Sequence, residues 1–358
     1  MSAIALSKPP RSILIVRLTA RGDVVFATPL IRAFRRTYPG ARITWLAESH
    51  TADLVLHNPH LDEVIVWNRK EWKRLLRRGR LLTLGRLALD FVRELRSREF
   101  DLAVDVHGLL RAGAMTYLSG APTRVGLGST EGSSLLMTHV IPRDSSDLPQ
   151  VASEYLYIAR ELGLDVSDFR LDVVLSQKDE ESARGIITRE GLTDGYAVIC
   201  PFTTRDWKHW FEDRWANLVD RMQADLGLTT VILGGPDDRE ADRRIREAVR
   251  GKVVSLVGKT SLSEAAALVK FARLLVGVDT GLTHVASAFE RPTVALFGSN
   301  IPYSEPPTDR TRIIVHRLEC TPCKHYPTCD GDYTCMRLIT VDEVLNTARE
   351  VLEVGESG

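Results

Sequence analysis

The chain has 358 residues, 44% of them apolar and 26% charged, and its 47 Lys+Arg are balanced by 47 Asp+Glu. That length favours two domains, each large enough for its own core, and the neutral balance argues against a global polyanionic partner such as nucleic acid. No run reaches the roughly 18 apolar residues of a spanning helix and residues 1–12 lack the apolar stretch of a secretory signal, so a cytoplasmic protein is expected.

Short apolar runs alternate with helix-length amphipathic stretches, the pattern of an α/β fold with parallel sheets. In the first half, strands are predicted at Ser12–Leu18, Arg42–Leu46, Glu63–Val66, Leu102–Asp105 and His139–Ile141. The first strand turns through Thr19-Ala20-Arg21-Gly22-Asp23 into a helix expected over Val24–Tyr38. Between Val66 and Leu102 lies an insertion rich in Arg and Leu; from Arg69 to Arg98 it holds eleven Lys/Arg against three acids, 11 − 3 = +8. Such a block suits an anionic surface. Its helical part, about Leu81 to Arg98, carries Leu84, Leu87, Phe91, Val92 and Leu95 on one face. A helix over Leu148–Leu162 is closed by Gly163, and Asp165 to Lys178 reads as the interdomain linker. In the second half, strands are predicted at Tyr196–Cys200, Thr229–Leu233, Val253–Leu256, Leu274–Val278, Thr293–Phe297 and Arg312–Val315. Thr340-Val341-Asp342-Glu343 is a capping box for a last helix to about Leu352.

The stretch Gly277-Val278-Asp279-Thr280-Gly281-Leu282-Thr283-His284 turns a buried strand into a helix, which sets free N–H groups and a positive dipole end at one spot. Such a spot binds phosphate; capping of the helix by Asp279 and Thr280, and a merely buried His284, are the competing readings. The N-terminal strand–turn–helix is a second crevice of this kind, so two nucleotide-type domains facing a cleft are expected. Asp23 lies at the mouth of that first strand, where ligands of open parallel sheets bind. It is either a proton acceptor, kept ionised by Arg17 and Arg21, or a cap for the Val24 helix. Thr203-Thr204-Arg205-Asp206-Trp207-Lys208-His209-Trp210 follows another strand; its hydroxyls and cations suit a phosphate, or it is a surface turn with Trp207, Trp210 and Trp215 packed as structure. Gly234-Gly235-Pro236-Asp237-Asp238 is either a plain turn or a close ligand approach with an acid for sugar hydroxyls. Asp105-Val106-His107-Gly108-Leu109-Leu110-Arg111 presents His107 and Arg111 to the cleft, or closes a strand with an incidental His. Cys320, Cys323, Cys329 and Cys335 either hold a structural zinc or remain free or redox-active thiols.

Taken together, these motifs resemble the ADP-heptose:lipopolysaccharide heptosyltransferases, glycosyltransferase family 9. The segments that carry the resemblance are Ile13–Leu18 with Gly22-Asp23, Phe100–Asp105 with Gly108-Leu109, Thr203–Asp206 with Lys208-His209-Trp210, Gly277–His284 and Pro292–Gly298. The resemblance implies a GT-B fold, two Rossmann-like domains with parallel sheets facing a central cleft. Residues 1–172 would bind the acceptor, 173–340 the nucleotide sugar, and 341–358 would form a helix packing back toward the N-terminal domain. It implies inverting transfer of heptose from ADP-L-glycero-D-manno-heptose to the lipopolysaccharide inner core, a Kdo-lipid A or heptosyl-Kdo acceptor, without a required cofactor. Asp23 would be the general base and Lys208 would act catalytically on the donor phosphates. Thr203, Thr204, Asp238, Asp279, Thr280, Gly281, Leu282 and His284 would join Lys208 in donor binding. Arg69, Lys70, Lys73, Arg74, His107 and Arg111 would bind the anionic glycolipid acceptor, with peripheral contact at the inner membrane. The alternatives are a GT-B enzyme using another nucleotide sugar and a sugar-nucleotide binder without catalysis.

Overall fold

The computed structural model describes residues 4, 8–129, 131–143, 151–301, 307–323 and 327–356. The chain divides into two units, Met1–Val174 and Leu175–Gly358. The first contains β1 (Ser12–Val16), α1 (Arg21–Ala27), α2 (Pro29–Thr37), β2 (Arg42–Glu48), β3 (Glu63–Trp67), α3 (Arg69–Arg77), α4 (Leu81–Arg96), β4 (Leu102–Asp105), α5 (Leu110–Leu118), β5 (Thr123–Leu127), β6 (His139–Ile141) and α6 (Val151–Glu161). Its sheet is parallel, in the order β3-β2-β1-β4-β5-β6. β1 lies between β2 and β4, so the strand order reverses there and a crevice opens beyond their carboxyl ends. Ile13, Leu14, Ile15 and Val16 are fully buried, as expected of a central strand covered on both faces.

Three sequence expectations need adjustment. The helix expected over Val24–Tyr38 is two helices, because Pro29 at the start of α2 has no N–H to continue α1. The strand β5 was not anticipated; its Thr-Arg-Val-Gly-Leu sequence has no clear apolar run, yet it pairs with β4 and β6. The basic insertion folds as a helical hairpin, α3 and α4, where only the second helix was expected. Trp72 of α3 makes edge contacts with Trp67 of β3 and Phe91 of α4, ring centroids 5.5 and 5.8 Å apart, which fix the hairpin to the sheet. The helix expected from Leu148 is α6; Leu148 itself lies outside the described residues.

The second unit contains α7 (Gln177–Arg189), β7 (Tyr196–Cys200), α8 (Glu212–Leu226), β8 (Thr229–Ile232), α9 (Arg239–Ala248), β9 (Val253–Ser255), α10 (Leu262–Phe271), β10 (Leu274–Val278), α11 (Gly281–Ala288), β11 (Thr293–Phe297), β12 (Thr311–Val315), α12 (Thr334–Arg337) and α13 (Val341–Glu356). Its parallel sheet runs β12-β11-β10-β7-β8-β9, and the order reverses between β7 and β10. The C-terminal helix α13, expected to fold back toward the first domain, buries Val344, Leu345, Ala348 and Val351 in the core of the second unit. Trp210 and Trp215 belong to that core, stacked edge-on at 5.0 Å, with the Trp210 indole N–H donating to the Ile339 carbonyl at 3.1 Å. Among the described residues, no helix is long and apolar enough to cross a membrane.

Candidate active site

Each unit places its chemistry at its own reversal of strand order. In the first unit the residues after β1 and β4 meet. Arg17, almost wholly buried, donates from Nη1 to the Val106 carbonyl at 3.0 Å and from Nη2 to Asp23 Oδ2 at 2.5 Å. Asp23 sits in the first turn of α1 and also accepts the Ala20 N–H at 3.4 Å. The helix begins at Arg21, so Asp23 is its third residue and not its cap; it reaches back as half of a capping box. Its Oδ1 makes no hydrogen bond among the described residues. Arg21, expected beside this carboxylate, points instead to the His50 carbonyl, 3.4 Å away.

Asp105 ends β4 and accepts the N–H groups of His107 and Gly108 at 2.9 and 3.0 Å. Burial pushes its carboxyl up to about 6, although those two bonds and the Arg17 charge oppose the shift. Burial also drives His107 down to about 2, helped by Arg17, Arg111 and Arg143, so its imidazole is neutral at physiological pH. Arg111 donates to Thr19 Oγ1 at 2.8 Å, and His107 Nε2 lies 3.5 Å from the same hydroxyl. Asp105 Oδ2, His107 Nδ1 and Arg17 Nε are buried without a hydrogen-bond partner among the described residues. Unsatisfied buried polar atoms gathered at one rim are where a polar ligand or water gains most.

Glu48 was not anticipated. It ends β2, next to β1, and burial raises its carboxyl against the pull of Arg69, Arg111 and Lys73. Arg69 Nη1 lies 3.6 Å from its Oε1, and Arg111 Nε 3.9 Å. Its place as the last residue of a strand beside the first was the available signal. Arg69 and Lys73 both act on Glu48, and Lys70, Lys73 and Arg74 line a hollow of about 330 Å³ with Arg77 and Arg78. Arg74 is also paired with Glu71 at 2.8 Å.

In the second unit the loop after β7 meets the turn after β10. Lys208 Nζ donates to Asp279 Oδ2 at 2.6 Å, and Asn300 Nδ2 donates to the same oxygen at 2.8 Å. His284, fully buried on α11, donates from Nε2 to Asp279 Oδ1 at 3.0 Å. Burial alone would raise the Asp279 carboxyl; the His284 hydrogen bond, the Lys208 charge and Asn300 override it and hold the group well below the ordinary carboxylate range. Asn300 was not anticipated, since it follows β11 and only sheet adjacency brings it here. Asp279 is thus committed to three donors and does not cap α11. Thr280 occupies the cap position with extended backbone and makes no side-chain cap bond. The N–H groups of Gly281 and Leu282 are left for a ligand in a favourable dipole field.

Local packing explains the sequence of this turn. Thr283 Oγ1 donates to the Val278 carbonyl at 2.7 Å, and a Cβ on Gly277 would lie 2.2 Å from that hydroxyl. Only glycine lets the helix approach the strand this closely. The loop carrying Lys208 is closed by His209 Nε2 at 2.9 Å from the Thr203 carbonyl, with Thr203 half-buried and Thr204 exposed. The Arg205 guanidinium stacks over Trp207, 5.5 Å from the ring centre. Asp238 accepts the Gly235 N–H at 2.7 Å and shapes the turn after β8, with its second oxygen not engaged in that bond.

The zinc site considered for the cysteines is not assembled: among the described residues no group of three or more His, Cys, Asp or Glu is placed to hold a metal. Cys335 is a core residue and Cys320 is exposed; burial raises the Cys335 thiol, and the neighbouring Cys323, Cys329 and Cys320 add to the shift. A Cβ on Gly298 would lie 2.7 Å from Cys335 Sγ, which marks that thiol as packed against β11's end.

Lipopolysaccharide heptosyltransferase 1 of Salmonella typhimurium is 26% identical over 292 residues, 81% of this chain and 89% of the relative. The structure of Escherichia coli ADP-heptose LPS heptosyltransferase II aligns with a TM-score of 0.75 at 22% identity, over 96% of this chain and 99% of that one. E. coli heptosyltransferase WaaC, solved with ADP-2-deoxy-2-fluoro heptose, aligns with a TM-score of 0.70 at 23% identity, over 95% and 99% of the two chains. The fold is therefore that of the GT-B heptosyltransferases, as the motifs had implied. The sequence pattern of glycosyltransferase family 9 (heptosyltransferase) matches residues 88–334, well over half of the chain, and the protein belongs to that family.

Proposed function

We propose that this glycosyltransferase moves a heptose from ADP-L-glycero-D-manno-heptose to the inner core of lipopolysaccharide, at the cytoplasmic side of the inner membrane, with inversion at the anomeric carbon. The observation that carries the reading is the Lys208–Asp279–Asn300–His284 cluster beside the uncapped start of α11. It supplies a fixed cation and two free N–H groups at the reversal of strand order, where a sugar diphosphate belongs. The name of the Salmonella relative and the nucleotide sugar bound by WaaC give the donor and the product class their specific form.

In this reading Asp23 is the general base. Arg17 holds its Oδ2, leaving Oδ1 to take the proton of an acceptor hydroxyl. As that O–H bond breaks, the oxygen bonds to C1 of the heptose from the face opposite the diphosphate. The C1–O bond breaks, its electron pair goes to the diphosphate, and ADP leaves. Lys208 and the N–H groups of Gly281 and Leu282 stabilise the charge that develops on the leaving group. Thr203, Thr204, Asp238 and Thr280 complete donor binding, and Arg69, Lys70, Lys73, Arg74, His107 and Arg111 meet the anionic glycolipid. The test is incubation with ADP-heptose and a panel of truncated core acceptors, with the product read by mass. One heptose added to one acceptor supports the proposal; ADP-heptose left intact with every acceptor overturns it.

A further inference from the structure

One buried carboxylate at the rim of the first unit takes no part in the transfer chemistry. Glu48 ends β2, is 5% exposed, and keeps Oε1 buried without a hydrogen bond among the described residues. Around it stand Arg69 Nη1 at 3.6 Å, Arg111 Nε at 3.9 Å and His50 Nδ1 at 3.6 Å, and Lys73 acts on it as well. Arg111 Nε is itself buried without a hydrogen-bond partner among the described residues. Burying a carboxylate on such terms adds little to stability, because the cost of removing charges from water rivals their attraction. The gain lies in what Glu48 does to the two arginines.

Neither arginine is favoured where it sits. Arg69 opens α3 and Arg111 is the second residue of α5, each at the positive end of a helix dipole. The two guanidinium groups also repel each other. Arg111 is held below its ordinary range first by burial and next by the Arg69 charge, with Glu48 and Glu131 pulling the other way. Their side chains are 30% and 32% exposed, so without an anchor both are free to turn into water. One carboxylate between them offsets the repulsion and restrains both. Arg111 then donates to Thr19 Oγ1 at 2.8 Å, on the turn that leads to Asp23. Because Glu48 is buried and the arginines are not, an incoming anion meets the guanidinium groups and not the carboxylate.

We propose that Glu48 is a positioning residue of the acceptor site: its carboxylate holds the Arg69 and Arg111 guanidinium groups together at the rim, preorganised for an anionic group of the acceptor. This role rests on reading the first unit as the acceptor side of a heptosyltransferase.

The full chain is tested in two arms. In the first, steady-state transfer from ADP-heptose to a truncated core acceptor is measured for wild type, Glu48→Gln and Glu48→Asp. Glu48→Gln raises the acceptor KM about tenfold, while kcat and donor affinity stay at wild-type values. Glu48→Asp, which keeps the charge, recovers part of the loss. Burial raises the Glu48 carboxyl, against the opposing charges of Arg69, Arg111 and Lys73. His50 faces the same cluster and is pushed down by burial and by Arg21, Lys70, Arg69 and Arg111. It is present in wild type and variant alike, so comparing the two isolates Glu48. Their KM gap closes as pH falls through the Glu48 titration, because a protonated glutamate matches glutamine. An unchanged or lower KM in Glu48→Gln, or a gap that ignores pH, overturns the role.

In the second arm, nitrogen-15 NMR follows the arginine Nε–H signals without any substrate, with Arg69→Lys and Arg111→Lys assigning two of them. In wild type both are protected from exchange with water. The protection falls in Glu48→Gln, and in wild type as Glu48 is protonated. Signals that respond to neither change overturn the role, and the wild-type titration decides this even if Glu48→Gln fails to fold. Transfer to no acceptor by wild type, with both signals still dependent on Glu48, supports the positioning and overturns the heptosyl-transfer reading instead.

Discussion

Replacing Asp279 with asparagine keeps the shape of the donor-site cluster and removes its charge. Asparagine offers one acceptor oxygen in place of two. With that oxygen at the Oδ2 position it still accepts from Lys208 at about the native 2.6 Å and from Asn300 at 2.8 Å. Its amide then faces His284 Nε2, which can accept by changing tautomer. What is lost is the charge on the acceptor. Hydrogen bonds to charged groups contribute about 1.5–3 kcal/mol, and the Lys208 side chain is only 21% exposed, so water replaces little of the loss. A cost of about 2 kcal/mol lowers Tm of a unit of this size by about 4–8 °C. The pH dependence carries a sign. The folded state holds the Asp279 carboxyl below its ordinary range, so its stabilisation is complete above the unfolded value near 4 and is lost as pH falls through the folded value. Scanning calorimetry of wild type and Asp279→Asn should therefore show a constant gap from about pH 8 to pH 5 that closes below about pH 4. Equal Tm values at pH 7, or a gap that widens in acid, would refute the assignment of Asp279 as the charged hub of this site.

Lys208→Ala should lower turnover by roughly 10²–10³-fold, the cost of removing one stabiliser of developing charge, while far-UV circular dichroism stays native; wild-type rates would remove Lys208 from the chemistry. Neutralising Arg69, Lys70, Lys73 and Arg74 together should raise KM for the acceptor and leave donor affinity unchanged, read by steady-state kinetics with each substrate varied. Gly277→Ala forces a methyl to 2.2 Å from Thr283 Oγ1 and 3.1 Å from Cys200 Cβ and should cost about 1–3 kcal/mol or more in urea unfolding. Adding Thr283→Ala should recover part of that loss, and strictly additive effects would mean the two positions do not collide.

The central strands were legible because they are short apolar runs buried on both faces, as Ser12–Val16, Tyr196–Cys200 and Leu274–Val278 illustrate. β5 escaped because pairing, not composition, makes it a strand: Thr123, Arg124 and Gly126 interrupt any pattern, and Gly126 is set by Met137, 2.8 Å from where its Cβ would be. α3 escaped because it buries only Leu75, leaving no apolar stripe to read. At the site, residues inside a polar loop motif that follows a readable strand were visible, namely Asp23, Lys208 and Asp279. Partners supplied by a neighbouring strand were not. Glu48 and Asn300 are brought in by the pairing of β2 with β1 and of β11 with β10, which one-dimensional spacing does not encode. The cysteines are close in sequence and remain neighbours in the fold, with Cys335 the member that is packed into the core.

The most direct test of the central claim is the acceptor-dependent release of ADP from ADP-heptose by Asp23→Asn, measured beside its donor affinity by calorimetry. The account predicts donor binding equal to wild type and ADP release slower by about 10²–10⁴-fold, the usual worth of a positioned base. Transfer at the wild-type rate would reduce Asp23 to a helix-turn residue held by Arg17 and the Ala20 N–H, and would contradict the mechanism.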